Sequence, residues 1–557
     1  MKGTRKSPLL ITIIIVMLLV TACNTGNTSG ENGSPSSSPT EQGQQSAASE
    51  SKKGPGENPS LNESGFPITN EPIKLDFVAG LPAGSHPDWN DAMLFNEYEK
   101  MTGIDIQWQM ISTSVLEEQR NIILASGELP DAFYAALIPD GDVMKYGQQG
   151  MFIPLNDLID KFAPNIKKLL DENPDIRKGL TMPDGNIYSI PRVYDPGFTS
   201  VLVNPKQWIN TKWAETLNLK LPETTDEFYN YLKAIKEGDP NGNGEADEIP
   251  YGADGIGRLT KYLHGAWGLQ NRGSRHAYVD VNPETKELRF FPTDPKYKEM
   301  LEYINKLYSE ELIDQDIFTV NSSELLARLQ EDVYGVYNSW DPESWGNVEN
   351  FVGAPALAGP NGDKLVVSNS PLTGLGHFVI TSANEYPEAT MRWIDYFFSE
   401  EGSEMFFMGF EGVTFKRNAD GTTEFLDEIA NNPNGLSFDQ AIAQYLVWPG
   451  GGMPGILSQK YFHGGESLPL SVEAAELLEP YLPEETWPPF SFTTEENTRM
   501  AAISSDISTY IREMQAKFIT GEVPFSEWES YVETIQKMGL AEYMEIYQAA
   551  YERYKNG

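Results

Sequence analysis

An α/β chain of two lobes is the fold class this sequence predicts, each lobe built on a mainly parallel sheet flanked by helices. Three observations carry the expectation. Alternating strands and amphipathic helices take turns early in the chain, as in βαβ units. About 490 residues remain beyond a polar leader, more than one hydrophobic core ordinarily organises. The later chain reads as mainly helical with isolated strands between.

In chain order, residues 1–22 read as a lipoprotein signal peptide. Lys2, Arg5 and Lys6 form a positive start, and Leu9 to Val20 is an almost unbroken apolar run. That run falls short of the roughly 20 residues a membrane-crossing helix needs. Val20-Thr21-Ala22-Cys23 resembles the bacterial lipobox, in which the cysteine thiol takes a diacylglyceryl group bearing acyl chains such as palmitate. Cys23 is therefore the expected lipidation site, and as the only cysteine it can form no intrachain disulfide. Residues 23–66 are rich in Gly, Ser, Asn, Gln, Pro and Glu and read as a flexible tether, holding a body on the extracellular face of the cell membrane. A formal net charge of −40 argues against a nucleic-acid partner, because a polyphosphate needs basic contacts. The aromatic complement of 11 Trp, 26 Tyr and 26 Phe supplies rings for cores and for flat binding surfaces alike.

After the tether, Ile73 to Phe77 alternates as a strand. Asn90 to Met101 reads as a helix with Met93, Leu94 and Tyr98 on one side, and Gly103 ends it. Ile104 to Trp108 is a second strand, Val115 to Ala125 a second helix, and Leu129 to Tyr134 opens a third strand. This βαβαβ order implies parallel pairing. Ligands sit at the carboxyl ends of such strands, so Ala79 to Trp89 and the segment after Tyr134 should border a cleft. Further along, Gly335-Val336-Tyr337 and His377 to Ile380 read as strands. Tyr297, Met300, Leu301, Ile304, Leu307 and Tyr308 form one helical stripe; Trp528, Tyr531, Val532 and Ile535 form another, followed by Tyr543, Ile546, Tyr547, Ala550 and Tyr554.

Seven short stretches together resemble the family-1, carbohydrate-type extracellular solute-binding proteins of ABC importers common in Gram-positive bacteria. They are Tyr98 to Ile104, Leu124 to Asp131, Gly150 to Leu155, Asp184 to Pro191, Leu307 to Asp314, Phe410 to Val413 and Phe518 to Glu522. The resemblance implies a periplasmic-binding-protein-like fold of type II, whose lobes are joined by hinge crossovers and close on a ligand. It implies a first lobe of residues 67–190 plus about 365–457, and a second of about 191–364 plus 458–557.

The resemblance is nearest to the alginate-binding, LipO-like branch because of Asp239-Pro240-Asn241-Gly242-Asn243-Gly244-Glu245-Ala246-Asp247-Glu248-Ile249-Pro250. This segment starts like an EF-hand loop, with oxygen donors at positions 1, 3 and 5 and Gly at 6, but Pro250 stands where a bidentate Glu belongs. Related proteins close the site with an acidic pair, which here corresponds to Asp247 and Glu248. A structural Ca²⁺ is expected on Asp239, Asn241, Asn243, Asp247, Glu248 and the Glu245 carbonyl. Three carboxylates gathered without a cation would repel one another.

Sugar recognition needs flat apolar faces with polar groups at their edges. The segment Tyr337 to Trp345 packs Asn338, Trp340, Asp341 and Trp345 into one loop after a strand. Trp89, Trp267 and Trp448 sit in small-residue or loop settings, where ligand contact and ordinary packing are equally open. Arg192, near the expected first crossover, suits either a uronate or a hinge ion pair. The expected function is a monomeric, lipid-anchored, non-enzymatic subunit that captures a neutral or uronate-containing oligosaccharide and delivers it to an ABC permease. The alternatives are an extracellular glycoside hydrolase, which needs aromatic platforms and two carboxylates, and a glycan-binding surface lipoprotein without a transport role. No nucleophile elbow, zinc-protease helix or phosphate loop is present.

Overall fold

The structure, a computed structural model, describes residues 61–340, 342, 350–451 and 453–556. Cys23, most of the tether, Asp341 and Trp345 lie outside the described residues. Fourteen strands are distinguished among the described residues: β1 (Ile73–Leu81), β2 (Ile104–Ser112), β3 (Ala132–Ile138), β4 (Ile190–Tyr194), β5 (Lys206–Asn210), β6 (Ile249–Gly252) and β7 (Val279–Val281). The rest are β8 (Leu288–Phe290), β9 (Tyr334–Ser339), β10 (Phe351–Gly353), β11 (Leu372–Ile380), β12 (Phe415–Arg417), β13 (Thr423–Phe425) and β14 (Gly455–Leu457).

The first sheet has the order β14-β4-β11-β3-β1-β2. Its β2-β1-β3 part is parallel throughout. The reason is local: each strand is followed by a helix, Met93–Thr102 and then Leu116–Ser126, that returns the chain across one face. Gly103 ends the first of these in the left-handed region, its N–H donating to the Glu99 carbonyl. β11 runs antiparallel to both β3 and β4, because the chain re-enters this sheet from the other lobe. The second sheet, β10-β5-β9-β6, has two antiparallel pairs and one parallel pair, so it is mixed rather than mainly parallel. Hairpins β7-β8 and β12-β13 are separate ribbons.

Each sheet has its own core. One gathers apolar side chains between Ile68 and Leu202 and again between Leu372 and Phe462. The other gathers them between Ile209 and Leu357 and between Ile507 and Tyr543. The helix Pro295–Ser309 buries Tyr297, Met300, Leu301, Ile304 and Leu307 along its stripe, against the 27-residue helix Thr494–Thr520. β4 belongs to the first sheet, so the chain leaves that sheet after Tyr194 and enters the second at Lys206, several residues beyond the expected crossover. It returns between β10 and β11. Asn369 stitches the two crossovers together. Its amide nitrogen donates to the carbonyls of Val201 (3.2 Å) and Asn204 (2.8 Å), and its side-chain oxygen accepts from Lys261 (3.0 Å) and Ser274 (2.9 Å).

Leu61 to Phe66, expected at the end of the tether, are instead part of the body. Leu61 bridges Thr69, and the Arg392 guanidinium donates to the carbonyls of Asn62 and Gly65. The Phe66 ring meets Tyr396 edge-on at 5.0 Å. These contacts order a stretch whose composition alone reads as linker.

Candidate functional site

The carboxyl ends of β1, β3 and β4 carry the polar and aromatic groups of the first lobe's rim. After β1 the chain runs through Pro82 and Ala83 to Ser85, whose hydroxyl donates to the Val447 carbonyl at 2.6 Å and so joins this loop to the segment around Trp448. Arg192 projects from β4 beside it. Its Nη1 donates to the Gly451 carbonyl at 2.6 Å and its Nε to Thr373 Oγ1 at 3.0 Å, and the guanidinium lies 5.5 Å from the centre of the Tyr194 ring. These partners are neutral, so the charge is oriented rather than neutralised. Arg192 is therefore a rim group of the first sheet. Behind it, burial pushes the His377 imidazole down to about 3, and the Arg192 charge adds to the effect.

Beyond β3 the rim meets the second lobe. Asp140, two residues past the strand, pairs with Arg275. The Gln148 side chain accepts from the Thr494 hydroxyl at 2.7 Å. Neither pair was legible beforehand, because a contact between residues 135 positions apart leaves no local trace.

On the second lobe, Asn338 and Trp340 close β9. Asn338 is buried, donates to the Lys206 carbonyl at 3.0 Å, and its Oδ1 has no hydrogen-bond partner. Trp340 is 42 % exposed. It is the one tryptophan among the exposed large apolar side chains of the described residues.

The other expected aromatic contacts are corrected by burial. Trp89 is 0 % exposed, donates from Nε1 to Ser85 Oγ at 3.1 Å, and packs on Phe95, Trp108 and Tyr134. Trp267 is 2 % exposed and lies against Tyr303. Trp448 is 4 % exposed, donates to the Phe407 carbonyl at 3.0 Å, and sits among Phe407, Phe438 and Phe462. In each case neighbouring rings already cover the indole face that a sugar would need. Loop position and small neighbours do not reveal this; only the tertiary surroundings do.

The acidic loop 239–250 folds on itself. Asn241 and Asn243 donate from their side chains to Asp247, at 3.1 Å and at 3.0 to 3.2 Å, while their carbonyl oxygens accept the backbone N–H groups of Asn243 and Glu245. Asp239 accepts from the Gly244 N–H at 3.0 Å. Neither carboxylate oxygen of Glu248 accepts a hydrogen bond of good geometry; the backbone N–H groups of Glu248 and Asn241 approach it and favour the charged form, but burial, with the charges of Asp247 and Asp239 adding to it, raises its pKa on balance. No group of three His, Cys, Asp or Glu side chains among the described residues is held as a metal cluster. The donor set fits a hard cation, and the weakly bonded Glu248 is the group such a cation would satisfy.

The profile of the bacterial extracellular solute-binding protein family matches residues 83–404. The fructooligosaccharide ABC transporter substrate-binding protein FusA of Streptococcus pneumoniae is 32 % identical over 507 residues, covering 88 % of this chain and 92 % of that protein. The structure of S. pneumoniae FusA with kestose superposes with a TM-score of 0.72 at 30 % identity, over 87 % of this chain and 100 % of that one. A FusA EF-hand mutant with fructo-nystose superposes equally well, with a TM-score of 0.72 at 31 % identity and the same coverage of 87 % and 100 %.

Proposed function

This chain belongs to the bacterial extracellular solute-binding protein family, and on that premise we propose that it captures an oligosaccharide between its two lobes and delivers it to an ABC permease. The observation that carries this reading is the likeness to FusA along nearly the whole of both chains. A neutral, fructan-type oligosaccharide is the first expectation, with a uronate-containing one second. Trp340 offers an open indole face for the C–H side of a sugar ring and Arg192 an oriented donor whose partners are all neutral, while the expected contact from Asn338 is corrected by burial at 3 % exposure. Asp341 and Trp345 complete the proposed set. The lobes act as jaws about the crossovers that Asn369 joins, and the subunit itself makes and breaks no bond. Cys23 anchors it by lipid to the outer face of the membrane, as a monomer.

Calorimetry with kestose, fructo-nystose and oligogalacturonides tests the reading. Binding of one or more without change in the sugar is expected. Silence across the set would defeat the proposal, and cleavage of a bound glycan would replace it with the glycoside hydrolase alternative.

Loop 239–250 is proposed to hold one structural Ca²⁺ through Asp239, Asn241, Asn243, Asp247, Glu248 and the Glu245 carbonyl. The EF-hand named for the FusA mutant supports this, as does the weakly bonded Glu248 carboxylate. A bound cation would neutralise the carboxylate cluster and lock the loop ahead of β6. Chelation should lower the Tm of the wild-type chain and leave that of Asp239→Ala unmoved; identical melting of the wild type with and without chelator would refute the site.

A further inference from the structure

The carboxyl end of β3 is contorted in a way its neighbours impose. Pairing with β1 stops at Tyr134, opposite Ala79. Beyond that point Ala135 and Leu137 both adopt φ of 50°, a left-handed conformation uncommon for side-chain-bearing residues inside a strand. Flanking glycines leave the room. A Cβ on Gly80 would stand 2.3 Å from the Ala135 carbonyl oxygen, and one on Gly376 would stand 2.2 Å from that of Ile138. Arg120 holds the distortion from behind. It is 3 % exposed, and its Nη1 donates to the carbonyls of Ala136 (2.9 Å) and Leu137 (2.7 Å). A buried guanidinium spent on main-chain oxygens, with no carboxylate bonded to it, is a substantial investment in one strand end. Its outcome is that Leu137 is 46 % exposed at the carboxyl end of a strand inside the first sheet. Three residues on, Asp140 is paired with Arg275 from the second lobe, so this strand end faces the opposing jaw.

Strained backbone that the surroundings over-determine collects where a fold binds its ligand. In α/β sheets that place is the carboxyl end of the strands. We propose that Leu137 is a ligand-contact residue, forming the first lobe's apolar wall against the C–H face of a bound sugar, and that Arg120 is the positioning residue that turns it outward. The inference rests on the oligosaccharide reading above. Leu137 supplies what Trp340 supplies from the other lobe, so a ring held between the jaws loses apolar surface to water on both sides.

Two variants separate a binding role from a structural one. Leu137→Ala keeps the strained position and removes the wall. Leu137→Gly removes the wall and the strain together, since glycine takes positive φ without steric conflict. Calorimetry with kestose, or with the tightest-binding glycan of the set if kestose is silent, should show affinity reduced about tenfold in both. The Tm of Leu137→Gly should not fall below that of Leu137→Ala. If the wild type binds and both variants bind as tightly, Leu137 is no contact residue and the inference is overturned while the transport reading stands. A wild-type chain that binds no glycan would overturn both.

Discussion

Trp340 and Trp448 carry the same side chain and have opposite uses, and their surroundings decide which. Trp340 leaves 42 % of its surface in solvent at the end of β9, so truncation forfeits little packing. Trp340→Ala is expected to weaken glycan binding by roughly 1 to 3 kcal/mol, the range for loss of an aromatic stacking face, with the Tm nearly unchanged. Unchanged affinity by calorimetry would remove Trp340 from the site. Trp448 is enclosed by Phe407, Phe438 and Phe462, and its indole N–H is bonded to a buried carbonyl. Trp448→Ala should cost about 3 to 5 kcal/mol of stability, read by urea unfolding, while the fraction that remains folded binds normally. The contrast shows where sequence reasoning stops at this scale. The settings of Trp89, Trp267 and Trp448 in the sequence leave exposure and packing equally open, and it is rings from other segments that cover them. An indole's use follows from what folds over it, and that information is nonlocal.

Elements whose determinants are local were legible. β1 opens and β2 runs with apolar and polar residues in alternation, β3 is a short apolar run, and Gly103 closes the helix between the first two, so the parallel start of the first sheet follows from neighbours in sequence. The second sheet draws β5, β6, β9 and β10 from four separated segments, and its mixed pairing was not foreseen. Nor was the left-handed backbone of β3, which depends on glycines in two other strands. Loop 239–250 lies between these cases: its donor pattern is visible in the sequence, its internal bonding is not. That bonding gives a prediction with two signs. With chelator present, Glu248→Gln should raise the Tm, because it replaces a weakly bonded, partly buried charge beside Asp247 and Asp239. With Ca²⁺ present the same substitution should lower the Tm, because it withdraws a charged ligand. A change of the same sign under both conditions would exclude Glu248 from the site.

For the whole molecule, stability on the acid side should be governed by imidazoles sealed in both lobes. Burial pushes His264 and His276 down to about 4 and His377 down to about 3, with all three at most 8 % exposed. Unfolded, each titrates near 6.5. Below that value the unfolded chain takes up protons that the folded chain refuses, so the stability these groups contribute is complete above about 6.5. It is lost as the pH falls toward 4 for His264 and His276 and toward 3 for His377, by roughly 3 kcal/mol for each of the first two and roughly 5 kcal/mol for the third at the acid limit. Asp395 acts in the opposite sense. Burial raises its carboxyl to about 6 against the hydrogen bonds from Ile166 and Asn165, so between about 6 and 4 the folded chain binds this proton more readily than the unfolded one. Asp131, Asp140, Glu248 and Asp280 are raised in the same direction by burial, so the expected acid loss is that of the three imidazoles offset by these carboxyls. Because His377 belongs to the first lobe and His264 to the second, with separate cores, the two halves should lose stability through different residues. Urea unfolding at pH 7.5 and 4.5 should therefore show a smaller acid loss in His377→Gln for a probe in the first lobe, and in His264→Gln for a probe in the second. Equal acid losses in wild type and both variants would mean the imidazoles are not what acid attacks. A loss that moves with either variant at both probes would mean the lobes unfold as one unit, with the crossovers bound by Asn369 carrying the coupling between them.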